Sequence, residues 1–129
     1  MRKEDLRLHE YRLADGWSIL AGRSDKDNDY LSLKLANAND WWFHVRGQSG
    51  SHVLLRPPEN QKAEADRKLL ETAAAVAAWH SKARAGGLVP VTCTRARFVS
   101  KPRRARPGTV SVRRETVLKV RPGLPEAGS

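Results

Sequence analysis

The stretch 40–55 combines residue types that could bind a nucleic acid. Trp42, His44 and Arg46 alternate with apolar residues, and a turn between Gly47 and Gly50 predicts a hairpin. Successive side chains of a strand point to opposite faces, so this ring, imidazole and guanidinium share one face. An aromatic ring can stack on bases, and the cationic groups can hold phosphates. We therefore expect one face of the sheet to be core and the other to stay open; an ordinary hairpin with Trp42 covering a neighbouring element is the alternative.

The distribution of charge also favours a polyanionic partner. The net charge is +10; residues 1–81 hold 12 basic and 12 acidic side chains, whereas residues 82–121 hold 12 basic and 1 acidic. Such a segment predicts nucleic acid, above all RNA or a ribonucleoprotein surface, although an arginine-biased solvated surface is an alternative. The single cysteine, Cys93, and the lack of a signal peptide or membrane-length apolar run predict a cytoplasmic protein.

The sequence pattern predicts the helices and strands that position these residues. They are expected to form an α+β fold, with an antiparallel sheet packed against one long helix plus a short helix. A single domain is expected over residues 1–122, followed by a flexible tail at 123–129. The short helix should run through Tyr30 to Leu35, capped by Asn28 or Asp27. The predicted strands are 6–13, 17–21, the two hairpin strands, 88–94, and a last pair at 109–113 and 116–120; the long helix spans 61–85.

Four further residues receive structural interpretations. Pro90 lacks an N–H donor, so its strand is expected to lie at a sheet edge or to begin irregularly. Cys93 alternates with apolar positions and is predicted to be buried. Trp79 and His80 could touch a ligand, but their place near the end of a helix favours a core role.

Two catalytic or metal-binding interpretations fail on spacing. Asp25, Asp27 and Asp29 resemble the start of a calcium loop, but the glycine and glutamate required later in that loop are missing. The serines and histidines of 44–52 suggest an activated nucleophile, but Gly47-Gln48-Ser49-Gly50-Ser51 departs from the nucleophile-elbow pattern and lies between two strands. No phosphate loop or His/Cys metal cluster is present in the sequence, so we expect no enzyme activity, no cofactor and no metal.

Three stretches resemble a known family. They are Gly22-Arg23 with Asn28-Asp29-Tyr30-Leu31, Asp40-Trp41-Trp42-Phe43-His44 with Gly50-Ser51-His52-Val53, and Lys101-Pro102 with Pro107-Gly108 and Val110. They resemble NFACT-R, the RNA-binding module of ribosome quality-control proteins, from about Gly16 to Val120. The resemblance implies an α+β domain that binds tRNA or ribosomal RNA. Larger relatives tail stalled peptides through an N-terminal domain, so the chain looks like a free-standing RNA-facing module.

The residues and the resemblance together predict an RNA-binding surface. Its expected members are Arg23, Lys26, Asn28, Asp29, Trp42, His44, Arg46, Ser51, His52, Lys101, Arg103, Arg104 and Arg106. Most would contact phosphates, Trp42 would stack on a base, and Asn28 or His52 would read a base edge or ribose hydroxyl. The expected partner is tRNA or rRNA, with the large ribosomal subunit as a further candidate, and no membrane or small-molecule substrate. An accessory role in RNA modification and a protein–protein interaction module are the alternatives.

Overall fold

The main sheet is antiparallel, with the strand order β1-β2-β4-β3-β5-β8. The computed structural model describes residues 2–59 and 63–125. Two short strands, β6 and β7, pair separately from the main sheet. The strands are β1 Leu8–Arg12, β2 Ser18–Gly22, β3 Trp41–Val45, β4 Val53–Arg56, β5 Val89–Arg95, β6 Val99–Ser100, β7 Ser111–Val112 and β8 Thr116–Val120. The α+β class, the antiparallel sheet and the hairpin of β3 and β4 are confirmed.

The predicted long helix is wrong. Helix α2 spans Arg67–Trp79, 13 residues. It begins where the Asp66 carboxylate accepts a hydrogen bond from the Leu69 N–H at 2.8 Å. The helix ends at Trp79, because the backbone from His80 onward pairs with the β3–β4 loop, residues 46–52. The Ser51 N–H donates to the His80 carbonyl at 2.9 Å. Gln61, the predicted first residue, lies outside the described residues.

The short helix is confirmed in part, but its predicted cap is wrong. Helix α1 spans Asp25–Tyr30 and continues as a π-helical segment, Leu31–Leu35. Ser24 is the cap, since its hydroxyl accepts from the Asp27 N–H at 3.1 Å. The carboxylate of Asp27 is used within the fold, where it accepts from the Ser24 hydroxyl and from the Arg7 N–H. Within the described residues, no helix combines the length and apolar character needed to cross a membrane.

The larger core lies between α2 and one face of the sheet. Phe43 and Val45 of β3 belong to it, and Trp41 packs against it. The alanines of α2, including Ala73 and Ala77, are fully buried, which lets the helix backbone approach the sheet closely. The predicted division of β3 between two faces is therefore confirmed.

The opposite face of the sheet is covered as well, so the expectation of an open face is wrong. Its core consists of Leu20, Leu31, Trp42, Leu54, Ala96 and Val99. The π-helical segment and the chain leading into β6 supply the residues that cover Trp42, whose exposed fraction is 2%. Burial of this indole stabilises the fold through its large apolar surface.

A chain of hydrogen bonds runs through this second core. The Trp42 Nε1–H donates to Ser32 Oγ at 2.8 Å, and Ser32 Oγ lies 2.8 Å from His52 Nδ1. His52 Nε2 lies 3.1 Å from the Gly108 carbonyl oxygen, which can only accept, so Nε2 carries the proton and Ser32 donates to Nδ1. Every polar atom in the chain is satisfied with His52 neutral. Burial lowers the pKa of His52 to about 4.

The strands at the C-terminal side differ from the prediction. β5 lies between β3 and β8, not at an edge, and Pro90 is tolerated as its second residue. Cys93, further along β5, is buried as predicted. The predicted pair 109–113 and 116–120 is wrong, because β7 pairs with β6 whereas β8 pairs with β5. Of the predicted tail, residues 126–129 lie outside the described residues, and the Gly123 N–H donates to the Ala75 carbonyl.

We expect the protein to lose stability as the pH falls from about 6.5 to about 4. Unfolding returns His52 to its ordinary pKa of 6.5, so in this window the unfolded state binds a proton that the folded state excludes. The contribution is fully present above pH 6.5 and amounts to about 3 kcal/mol. Urea unfolding at about pH 7 and about pH 4.5 measures the loss. A His52→Gln variant should be less stable at pH 7 and lose less on acidification; an equal loss in both proteins would contradict this assignment.

We expect Gly22→Ala to destabilise the fold by about 2 kcal/mol or more. A Cβ at Gly22 would lie 2.1 Å from Asn28 Oδ1 and 3.0 Å from Asn28 N. That amide oxygen accepts from the His52 N–H, so relief of the clash breaks a buried hydrogen bond. Gly87→Ala is the matched control, because nothing lies within 4 Å of a Cβ there. Thermal unfolding that lowers both variants equally would refute the clash.

Candidate nucleic-acid interface

Two polar clefts border the β3–β4 loop. The serine cleft, about 430 Å³, is lined by Ser24, Ser49, Ser51 and Ser81 together with basic and histidine side chains. The histidine cleft, about 380 Å³, is lined by His44, Arg46, His52 and the residues around Gly108. Seven of the thirteen predicted site residues line these two clefts, instead of one continuous sheet face, and the other six lie on α1 and on the segment 101–106.

The serine cleft contains three of the predicted residues. Arg23 is exposed at its rim, Ser51 Oγ donates to the Gly22 carbonyl at 2.6 Å, and Asn28 lies at its inner wall. The hydroxyl of Ser51 is thus engaged with backbone, and Ser32, whose hydroxyl bonds His52, is buried with 3% exposure. Neither geometry provides an accessible activated serine.

The sequence interpretation missed the other half of the serine cleft. The rings of His9 and His80 stack with centroids 4.3 Å apart, and Tyr11 Oη lies 2.5 Å from His80 Nε2. Lys82 and Arg84 follow His80 and are exposed at the cleft. In the sequence, polar and basic residues follow the last apolar positions of α2, and this change of pattern could have indicated the cleft. The predicted helix 61–85 instead included these residues. The predicted core role of His80 is wrong, because its ring lines a cleft.

The serine cleft combines neutral imidazoles with guanidinium groups. Burial lowers the pKa of His80 to about 4, with His9 and Arg84 adding to the effect. The pKa of His9 is also lowered, by burial and then by the charge of Arg23. The positive charge of the cleft near neutral pH therefore comes from its lysine and arginines. An anion there would meet three cationic side chains and one carboxylate, Asp25. Three hydroxyl protons of the cleft already have acceptors within the protein, those of Ser24, Ser51 and Ser81.

In the histidine cleft, the predicted stacking residue is not available. Trp42 is 2% exposed, and its ring centroid lies 6.1 Å from that of His44 and 5.2 Å from that of His52. The prediction that Trp42 forms an open stacking platform is wrong, because the second core covers its ring. His44 remains half-buried at the cleft with its pKa lowered by burial, and Arg46 is exposed beside it.

Two residues predicted to read RNA have internal roles. Asn28 is 4% exposed and His52 is 1% exposed. Asn28 Oδ1 accepts from the His52 N–H at 3.0 Å, and the His52 ring is bonded at both nitrogens. The Asn28 Oδ1 and both ring nitrogens of His52 are therefore engaged within the protein. Asn28 also lines the serine cleft, and within the described residues its amide nitrogen has no such partner, so its contact with RNA stays a prediction.

The connector, residues 101–110 between β6 and β7, is held beside the histidine cleft by Lys101 and Asp29. Lys101 Nζ lies 3.1 Å from Asp29 Oδ2 and donates to the carbonyls of Arg106 and Thr109. The Gly108 N–H donates to Asp29 Oδ1 at 3.0 Å. All three ammonium protons have internal acceptors, so Lys101 holds the connector in place.

The remaining predicted cations are exposed. Arg103, Arg104 and Arg106 project from the connector, whose Gly108 and Val110 line the histidine cleft. The connector therefore lies on the side of the sheet that carries Trp42 and His44, although none of its arginines lines the histidine cleft. Lys26 lies on α1 and borders a separate hollow with Tyr30 and Pro107.

Comparison with known proteins gives consistent matches over this region. Residues 7–114 match the family described as "NFACT protein RNA binding domain". The chain is 38% identical over 104 residues to the Rqc2 homolog RqcH of Bacillus subtilis, covering 81% of this chain and 17% of that protein. It is 34% identical over 113 residues to the Rqc2 homolog RqcH of Streptococcus suis, covering 87% and 20%. The chain thus spans about a fifth or less of the length of these relatives.

A solved structure has the same fold. It is the C-terminal part of the fibronectin/fibrinogen-binding protein from Streptococcus suis, with a TM-score of 0.82 and 32% sequence identity. The match covers 95% of this chain and 47% of the other. Sequence profile, relatives and fold agree over the segment that contains both clefts and the connector. The chain therefore belongs to the NFACT protein RNA-binding domain family.

Proposed function

We propose that this domain binds the sugar-phosphate backbone of RNA at the two clefts and the connector, as a non-catalytic module. The family supports RNA as the ligand class, and the relatives named Rqc2 homolog support a role in ribosome quality control. We further propose tRNA or ribosomal RNA as the ligand, with the large ribosomal subunit as the setting and the cytoplasm as the location.

The observation that carries the proposal is the Lys101–Asp29 clamp on the connector. Lys101 and the Gly108 N–H bind the two oxygens of Asp29, and His52 binds the Gly108 carbonyl. These contacts fix the path of a loop that carries three exposed arginines. An ordered loop loses less conformational entropy on binding than a mobile one.

The chemistry of the exposed side chains suits phosphate. Guanidinium groups donate paired hydrogen bonds to phosphate oxygens, and the clefts add imidazoles as neutral donors. The residues proposed to contact phosphate are Arg23, Lys26, Arg46, Arg103, Arg104 and Arg106, joined by Lys82 and Arg84 from the serine cleft. His44 is proposed to contact a base or ribose.

We expect the affinity for RNA to depend steeply on salt. If about six phosphates are contacted, a plot of log K against log salt should have a slope of roughly −4 to −5, because each contact releases condensed counterions. Filter binding of bulk tRNA over a salt series measures the slope. Binding that is absent, or that does not change with salt, would overturn the proposal.

We expect Arg103→Gln/Arg106→Gln to weaken RNA binding while leaving the fold intact, because both side chains are exposed. Loss of two phosphate contacts should lower the magnitude of the salt slope by about 1.4 for single-stranded RNA. Lys119→Gln/Arg121→Gln is the matched control, since it removes two exposed charges at β8 and its C-terminal end. If both double variants bind equally well, net charge alone accounts for the affinity and the connector is not the contact surface.

A further inference from the structure

A group of arginines surrounds one aromatic ring, and none of them lines either cleft, although Val112, which precedes Arg113, borders the histidine cleft. The guanidinium carbons of Arg97, Arg113 and Arg114 lie 5.0, 5.7 and 5.5 Å from the ring centroid of Phe98. We call these four residues the arginine–phenylalanine cluster. Each guanidinium is close enough for a cation–π interaction, so a single ring gathers three positive charges.

The backbone under the cluster is fixed from the inside of the protein. Thr94, which is 2% exposed, donates its hydroxyl to the Arg113 carbonyl at 2.7 Å. The Arg113 N–H donates to the Phe98 carbonyl at 3.0 Å. Arg114 has φ +53°, a left-handed conformation that is uncommon for a residue with a branched or long side chain. The arginines therefore start from defined positions on a rigid base.

One carboxylate, Glu115, follows the cluster directly in the chain, but within the described residues it forms no ion pair with these arginines. In the part of the chain that the structure describes, Arg97, Arg113 and Arg114 form no ion pair. Arg97 donates to the neutral Asn39 side chain at 2.6 Å, and all three arginines are exposed. Three like charges around one ring repel each other, and a bound anion would offset this electrostatic repulsion.

The cluster lies at the opposite end of the sheet from the β3–β4 loop. Arg95 pairs with Trp41 at the start of β3, and Val91 pairs with Val45 at its end. Phe98 follows β5 shortly after Arg95, whereas the loop begins right after Val45. At roughly 3.3 Å per residue, the two ends of β3 are about 13 Å apart.

We infer that the arginine–phenylalanine cluster is a second phosphate-binding surface, which holds a separate segment of the same RNA that occupies the clefts. The inference rests on the proposed function and extends it to an RNA that spans the sheet from end to end. Phe98 collects the guanidinium groups, and their outward N–H donors bind phosphate oxygens.

The test is Arg113→Gln/Arg114→Gln, with Lys119→Gln/Arg121→Gln as the charge-matched control and Arg103→Gln/Arg106→Gln as the connector variant. The probe is an oligouridylate of about 20 nucleotides, titrated by fluorescence anisotropy over a salt series. Loss of two contacts should lower the magnitude of the salt slope by about 1.4 and weaken binding about 25-fold at 0.1 M salt. Thermal unfolding verifies that each variant is folded, and Phe98→Leu, which keeps the apolar contact but removes the ring, should weaken binding in the same direction.

The outcomes separate this inference from the proposed function. If the unmodified protein does not bind the RNA, the proposed function fails. If the connector variant weakens binding while Arg113→Gln/Arg114→Gln behaves like the control, the proposed function holds and the second surface is refuted. If a uridine dinucleotide, too short to span the roughly 13 Å between the two ends of β3, distinguishes the cluster variant from the unmodified protein as strongly as the longer RNA does, the spanning arrangement is also refuted.

Discussion

The hydrogen-bonded ring of His52 keeps the connector attached to the sheet. Its Nε2–H must donate to the Gly108 carbonyl, which leaves Nδ1 as the acceptor for Ser32, and Ser32 in turn accepts from Trp42. One tautomer of one imidazole thereby joins β3, the end of the β3–β4 loop, the π-helical segment and the connector. A charged ring would carry a proton on Nδ1 as well, and would be costly to bury in this core. The position of the exposed arginines thus depends on a buried hydrogen-bond chain.

The faces of the sheet follow from local alternation, but what covers them does not. The pattern of β3 correctly separated Phe43 and Val45 from Trp42. It could not show that Leu31 and Val99, far apart in the chain, meet above the indole. The pairing of β7 and β8 with different strands is likewise decided by non-local contacts, since both short segments have equally good strand propensity. The end of α2 was missed because backbone pairing with a distant loop overrides helix propensity.

For the candidate site, the sequence located the arginine-rich segment, but it did not show the structural role of each charged residue. The arginine-rich connector was found as a segment, and it lies beside the histidine cleft. Lys101 looks like its neighbours in the sequence, yet three internal acceptors surround its ammonium group. The serine cleft is assembled from β1, the β2–α1 junction, the β3–β4 loop and the segment after α2, so no single motif contains it. The burial of Asn28 and His52 shows that motif residues of this domain also build the frame that displays the cations.

The burial of Cys93 makes the protein suitable for spectroscopic labelling. It is the single cysteine of the chain, and burial raises the pKa of its thiol to about 12, so the reactive thiolate is scarce near neutral pH. A cysteine introduced at an exposed position would carry the accessible thiol. Maleimide fluorophores or spin labels could then be attached at a chosen point on an otherwise unmodified sequence, and the native thiol would stay inside the fold.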